Sequence, residues 1–341
     1  MSVTTPGLVC GHHHLYSAIA RGMPAPPQQP TDFRSILEQI WWRLDAALDL
    51  EMIRWSSMLG AVEALQSGTV AIIDHHESPN AIEGSLDVIA QACAEVGVIA
   101  SCAYGVTDRH GPDGARRGLA ENERYLRAGG RGMVGVHAAF TCGDDTLAAA
   151  AGLAAQLGVG VHIHVAEGPD DRDGPRRIEH LSTEDWLLAH CVGLDRELSG
   201  TIAHNPRSNL TNGVGYAAPA TRANPVVLGT DGIGADVLEE FRLAYALHRS
   251  HDLSASPETA WSWVEEGWRL VPEARDTSVS WSYRHVDSPW HAAFTPGVHA
   301  VDVKAADGEW LLRDGRPTRV DLHEVRTKAA EQARRLFTRL A

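Results

Sequence analysis

Lysine is nearly missing from this chain. Of 30 basic side chains only two are lysines, Lys304 and Lys328, both near the C-terminus. No block of Lys or Arg forms a basic patch, and 44 acidic residues leave a formal charge of −14, which opposes binding to nucleic acid or to an anionic membrane surface. Cysteine is sparse as well. Cys10, Cys93, Cys102, Cys142 and Cys191 show no C-x-x-C spacing, so neither a disulfide framework nor a cysteine zinc site is indicated, and they read as small apolar fillers. No run approaches the ~18 consecutive apolar residues of a membrane span, and the first twenty positions lack the basic start and cleavage site of a signal peptide. These absences lead us to expect a soluble, cytoplasmic protein with no nucleic-acid or membrane partner.

With 341 residues and 44% hydrophobic content, the chain can bury a large core in one main domain. Short apolar runs at 7–12, 69–75, 98–104, 133–140, 158–165, 186–192, 201–204 and 226–230 read as strands. Stretches with helical spacing at 33–65, 81–95, 115–127 and 145–156 lie between them, the pattern of repeated βα units with a parallel sheet. Eight such units close into a (β/α)8, TIM-like barrel over 6–250. A helix is expected at 237–250. The segment 251–297 reads as an irregular, Trp-rich connection, and 298–341 as a hairpin around Ala306-Asp307-Gly308 followed by an amphipathic helix over 322–340.

The chemistry collects where strands end. Near the start stands "CGHHHLYS", flanked by apolar residues and not by the small polar linker of a purification tag. Side chains alternate along a strand, so His12 and His14 point the same way about 7 Å apart and His13 points oppositely. Later strands end in "DHHES", "HIHVAE", "AHC", "HNPRSN" and "GTDG". Imidazole and carboxylate together suit Zn²⁺ or Fe²⁺, and a catalytic site keeps three or four protein ligands plus a water. His12, His14, one histidine of the fifth strand and Asp231 would supply them. His162 and His164 share a face; His164 is favoured because it ends the strand and Glu167 follows three residues later.

"PGLVCGHHHLYSAIARGM", "HIHVAE", "LLAHCV", "HNPRSN" and "LGTDG" resemble, in this order, the amidohydrolase superfamily and its single-metal aminohydrolase and chlorohydrolase branch. "DHHESPNAIEGSLDVI" and "WWRLDAAL" are similar to its SsnA-like aminohydrolases. The resemblance runs from Pro6 to about Leu247, and weakly over 291–325. It implies His12, His14, His164 and Asp231 as ligands of one divalent metal, Zn²⁺ or alternatively Fe²⁺. It implies Glu167 as the acid that protonates a ring nitrogen and His190 as the group that positions the attacking hydroxide and the developing oxyanion. His204 and Asn209 are then substrate-side or loop-ordering groups. A metal lowers the pKa of bound water to about 7, Asp231 can take the water's proton, and Glu167 can protonate the ring or the leaving amine.

Two-metal members of the superfamily bridge their ions with a carboxylated lysine, commonly at the fourth strand. Here that strand reads "GMVGVHAAF", so a single metal is expected. Relatives also carry some tens of residues before the first histidine motif that form a small β-sandwich with C-terminal strands. This sequence begins at the barrel, so a reduced C-terminal sandwich remnant with its N-terminal strands missing is expected. Only 17 residues separate Glu167 from Asp185, which implies a cut-down fifth connection.

The expected function is hydrolytic deamination of an amino-substituted nitrogen heterocycle or cyclic amidine, a small-molecule substrate, with release of ammonia. Displacement of chloride, ring opening, or a barrel that only binds are the alternatives. His75 and His76 end the second strand at the correct rim, which makes His76 a candidate substrate contact. Arg207 could meet an anionic group of the substrate or brace a loop. His13, His137 and His162 read as hydrogen-bonded core or supporting groups, and Trp41 and Trp42 as packing. The hairpin over 301–313 would expose an edge, which suggests a homo-oligomer, most simply a dimer.

Overall fold

The computed structural model describes residues 3–341. Strand β1 (Thr4–Pro6) lies outside the barrel. Eight parallel strands follow in chain order: β2 (Leu8–His14), β3 (Thr69–His76), β4 (Ile99–Tyr104), β5 (Val134–Ala138), β6 (Val161–Val165), β7 (Leu187–His190), β8 (Thr201–His204) and β9 (Val226–Leu228). Bridges from Cys102 to Gly132 and from Val106 to Val136 join β4 to β5. The ring closes through β10 (Asp231–Gly232), which pairs parallel to β2 with Asp231 opposite His13. That closure sets a residue from the end of the barrel beside the histidine run at its start. Gly229 permits it: a Cβ there would lie 2.8 Å from His12 Cβ and 2.2 Å from Asn205 Oδ1.

The strands are apolar and buried on both faces, as all-parallel sheets require; every residue of β3 is buried. Helices Ser85–Val96, Gly111–Arg127 and Asp144–Leu157 cover β3 to β6. Between β6 and β7 only a 3-10 turn, Pro169–Asp171, and a five-residue helix, Gly174–Ile178, remain, in keeping with the short span there. The helical stretch expected at 33–65 is interrupted. It consists of Phe33–Ile36, a π-helical turn at Leu37–Trp41, a helix Trp42–Ala47, and, after extended Leu48, the helix Leu50–Gln66. The last restarts because the Asp49 side chain accepts the Met52 N–H at 3.0 Å, an N-cap.

Two expectations for the remainder are corrected. First, an N-terminal strand is present. β1 pairs antiparallel with β11 (Ser278–Trp281), and the sheet continues through β12 (Ala300–Lys304), β13 (Trp310–Arg313) and β14 (Arg316–Pro317). Trp281 Nε1–H donates to Thr5 Oγ1 at 2.8 Å, fixing that register. Second, the Trp-rich segment holds a regular helix, Pro257–Leu270, with Pro at its first turn and Ala260, Trp263, Val264 and Gly267 forming its buried stripe. The sheet edge expected to attract a second subunit is blunted, because β14 has two residues and one is Pro317.

The final helix, Leu322–Leu340, packs on Leu50–Gln66 and on Trp42–Ala47. Arg335 and Arg339 both reach Asp49, at 2.8 and 2.7 Å, and Arg339 also donates to the Ala47 carbonyl at 2.6 Å. All five cysteines are free and buried. Among the described residues no helix is long and apolar enough to cross a membrane.

Candidate metal centre and active-site cavity

His12 and His14 each point a ring nitrogen at Asp231, and His164 turns one towards His14. His14 Nδ1–H donates to the His75 carbonyl at 2.5 Å and His164 Nδ1–H donates to the His137 carbonyl at 2.6 Å. A carbonyl can only accept, so the Nε2 atom of each ring is turned inwards. His12 is anchored by its Nδ1, 2.8 Å from His162 Nε2. Asp231 Oδ1 lies 3.3 Å from His12 Nε2 and 2.9 Å from His14 Nε2, and the Nε2 atoms of His14 and His164 are 3.3 Å apart. One ligand atom from each of His12, His164, His190 and Asp231 falls within a 4.8 Å span.

The arrangement fits a divalent metal ion on its donor chemistry. His12 Nε2 and His190 Nε2 are buried with no hydrogen-bond partner, and two inward-facing imidazole nitrogens confront each other. Orphaned buried acceptors are costly, and a cation among them satisfies all at once. The cluster draws positive charge even without an ion. Burial pushes His14 down, but the hydrogen bond and charge of Asp231 prevail and raise it to about 9. One ligand atom from each of His14, His75 and His164 likewise lies within 4.8 Å of the others. His75 donates its Nε2–H to the Val136 carbonyl at 3.0 Å and keeps an unpartnered Nδ1.

The backbone at this rim is held in an unusual conformation. Ala166, His190, Cys191, Asp231 and Ile233 have φ between +46° and +72°, a region costing such residues roughly 1–3 kcal/mol each. These positions flank Glu167, His190 and Asp231. Ser208 Oγ–H donates to Asp231 Oδ2, and Asn212 Nδ2 donates to Ser208 Oγ at 3.2 Å and to Glu167 Oε1 at 3.4 Å. His190 Nδ1–H donates to Asn209 Oδ1 at 2.8 Å, which leaves its Nε2 3.5 Å from Glu167 Oε2. Burial raises Glu167 to about 7 despite the nearby His190, and the Asp231 charge pushes the same way.

A cavity of about 620 Å³, its open mouth included, lies over the cluster. His14, His164, Glu167 and Asp231 line it, together with Trp41, Trp42, Leu37, Phe140, Asp45 and Glu77.

Several expected substrate contacts lie elsewhere. His204 is fully buried against Tyr216 and Trp263. Asn209 holds His190, and His76 bonds to Ser78 Oγ at 2.8 Å between Tyr16 and Tyr104. Arg207 is a brace: it pairs with buried Glu240 at 2.9 Å and donates to the carbonyls of Thr230 and Gly232 at 2.6 and 3.0 Å. None of the four is part of the cavity lining. Conversely, Trp41 and Trp42, read as packing, do line it, with Asp45 and Glu77, which sequence reasoning passed over. Glu77 stands within "DHHES", and Asp45 and both tryptophans within "WWRLDAAL".

Residues 3–265 match the amidohydrolase family. The chain belongs to that family. Across 98% of its length this amidohydrolase is 29% identical to the 5'-deoxyadenosine deaminase of Methanopyrus kandleri, covering 86% of that protein. It is 28% identical to the 5-methylthioadenosine/S-adenosylhomocysteine deaminase of Syntrophomonas wolfei subsp. wolfei, over 98% of this chain and 87% of that one. Among solved structures, the zinc-bound adenosine deaminase of Xanthomonas campestris superposes with a TM-score of 0.81 at 19% identity, covering 99% of this chain and 86% of the other. The zinc complex of atrazine chlorohydrolase from Arthrobacter aurescens gives 0.80 at 19%, covering 97% and 88%. These two likenesses establish the barrel fold. The amidohydrolase is an enzyme, a hydrolase acting on carbon–nitrogen bonds.

Proposed function

We propose that this amidohydrolase deaminates a 6-aminopurine nucleoside of the adenosine type, using one zinc ion. The observation that carries the reading is Glu167: a half-buried acid near neutrality, 3.5 Å from His190, on the wall of an aromatic cavity that also exposes Asp231 and His164. The curated relatives named above, deaminases of adenosine derivatives, support the same chemistry.

His12, His14, His164 and Asp231 would hold the ion, which when bound activates water for attack at neutral pH. The chain's own groups then handle protons and orientation. Asp231, held on Oδ2 by the Ser208 hydroxyl, is placed to accept a proton from the attacking water. Glu167 delivers its proton to the ring nitrogen, the proton taken by Asp231 passes on to the departing amine, and the second proton of the water, left on the new hydroxyl, restores Glu167 as the oxo product forms. His190 is held through its Nδ1 by Asn209, with its Nε2 turned towards Glu167. Asn212 tethers both carboxylates through Ser208 and Glu167 Oε1. Leu37, Trp41, Trp42 and Phe140 give the cavity an apolar wall for the purine to pack against. The balance is water plus aminopurine giving the 6-oxopurine and ammonia.

The test is ammonia release by zinc-loaded protein from adenosine, 5'-deoxyadenosine and 5-methylthioadenosine, with the oxopurine product confirmed by mass. Turnover of at least one is expected. Metal-loaded protein that releases no ammonia from any of them overturns the reading.

A further inference from the structure

Two adjacent residues of "HNPRSN" grip Asp231 from different sides. Ser208 Oγ–H donates to its carboxylate, while Arg207 Nη2 donates to the carbonyls of Thr230 and Gly232, at 2.6 and 3.0 Å, which stand on either side of Asp231 in the chain. Arg207 is not part of the cavity lining. Its own orientation is fixed from behind by Glu240, 1% exposed on the helix Val237–His251, which accepts Arg207 Nε–H at 2.9 Å on one oxygen and the Arg207 backbone N–H at 3.2 Å on the other.

The segment so held has little of its own to keep it in place. β10 is two residues long, and φ is +57° at Asp231 and +58° at Ile233, the left-handed region that residues with a side chain rarely adopt. Such backbone persists where its surroundings over-determine it. The surroundings here lead back to the histidine run: Thr230 N–H donates to the His12 carbonyl at 3.0 Å, Ile233 N–H to Ser17 Oγ at 2.8 Å, and Ser17 Oγ–H to the His14 carbonyl at 2.7 Å. Arg207 adds the cross-tie. One nitrogen bridging both carbonyls fixes the two peptide planes around Asp231 relative to each other, and with them the direction in which its carboxylate leaves the backbone.

We infer that Arg207, held by Glu240, is a positioning residue that sets the affinity of the site for its metal ion by aiming Asp231, without touching the ion or the substrate. The inference rests on the reading of Asp231 as a metal ligand. It gives the buried pair a task beyond joining the helix Pro206–Thr211 to the helix Val237–His251.

The experiment strips the full chain of metal and titrates zinc back against a chromophoric chelator, for the parent, Arg207→Met and Arg207→Lys, with the visible spectrum of the cobalt(II)-loaded protein recorded alongside. Arg207→Met keeps the length of the stem and removes every donor, so zinc affinity should fall about 10- to 100-fold, the usual loss when a group that orients a ligand is removed. The cobalt bands should shift or weaken, because Asp231 no longer meets the ion at the parent's angle. In Arg207→Lys a compact ammonium cannot serve two carbonyls and Glu240 from one planar fork, so its zinc affinity should lie between the other two. It is also the variant that keeps a cation beside Glu240 should Arg207→Met fold poorly. A tie between two helices and nothing more would lower the Tm of the metal-free variants and leave the affinity and cobalt bands of the folded protein alone. Zinc affinity within about twofold of the parent, with unchanged cobalt bands, in the variants that fold overturns the positioning role and leaves the metal-dependent reading intact. A parent that takes up no zinc overturns the metal-dependent reading and this role with it, so the parent's own titration tells the two failures apart.

Discussion

On one side of the barrel mouth the polar groups sit at the ends of β2, β6, β7 and β10; on the other they are carried by loops and by the excursion over 31–49. His12, His14, His164 and Asp231 are locked by hydrogen bonds between strands, and their approach depends on Gly229. Trp41, Trp42, Asp45, Glu77 and Arg109 come from three separate connections. Their geometry depends on one another, and on the final helix that fastens Ala47 and Asp49. Groups that must meet reacting atoms within a few tenths of an ångström are placed on rigid elements, whereas groups that choose the substrate stand where the chain can vary without disturbing the barrel.

The sharpest way to break this comparison is to disable each side and ask what survives. Glu167→Gln should keep its fold and metal while turnover falls by roughly 10² to 10⁴, the usual loss for a general acid. Asp231→Asn should lose activity and bind zinc less tightly as well, because a charged ligand becomes neutral. Elemental analysis of the two variants must therefore differ; equal metal content would move Asp231 out of the ligand set. On the loop side, Trp42→Ala removes an aromatic wall and the stacking surface for Arg109. Steady-state kinetics should show KM rising about tenfold with kcat changed much less and full zinc content. A collapse of kcat with KM unchanged would mean that the loop side takes part in the chemical step.

The smallest effect concerns stability. Burial raises Glu240 from 4.5 to about 8 against the opposing pull of Arg207. The folded protein thus holds a proton that the unfolded chain releases near pH 4.5. This group's contribution is fully present below that pH and is lost as pH rises through about 8. Glu240→Gln should therefore show a smaller drop in urea midpoint between pH 5 and pH 8.5 than the parent. Equal drops would place the titration elsewhere.

The strand-end side was legible in the sequence because each of its motifs is local: a period of two puts His12 and His14 on one face, and His164 and Glu167 are three residues apart. The loop side was not. Trp41 and Trp42 at helical spacing look like any core stripe, and only the π-helical turn before Trp42 carries them over the mouth. Arg207 lies within a rim motif, yet its partner Glu240 is 33 residues away, so nothing nearby betrays a brace. β1 has three residues, too few to show alternation, and its partner β11 lies some 270 residues further on. The helix at Pro257–Leu270 was within reach: its apolar residues recur at i, i+3, i+4 and i+7, but three tryptophans drew attention from the spacing.

The scarcity of lysine has a practical side. Lys304 closes β12 and stacks on Trp310, and Lys328 pairs with Glu331 early in the final helix; neither lines the cavity. A protease specific for lysine has only these two places to cut, after residues 304 and 328, so the whole barrel stays in one piece. The second cut frees residues 329–341, and with them Arg335 and Arg339, the fasteners of Asp49. Limited digestion thus cuts the link to the helix end that fastens Asp49 without a single substitution.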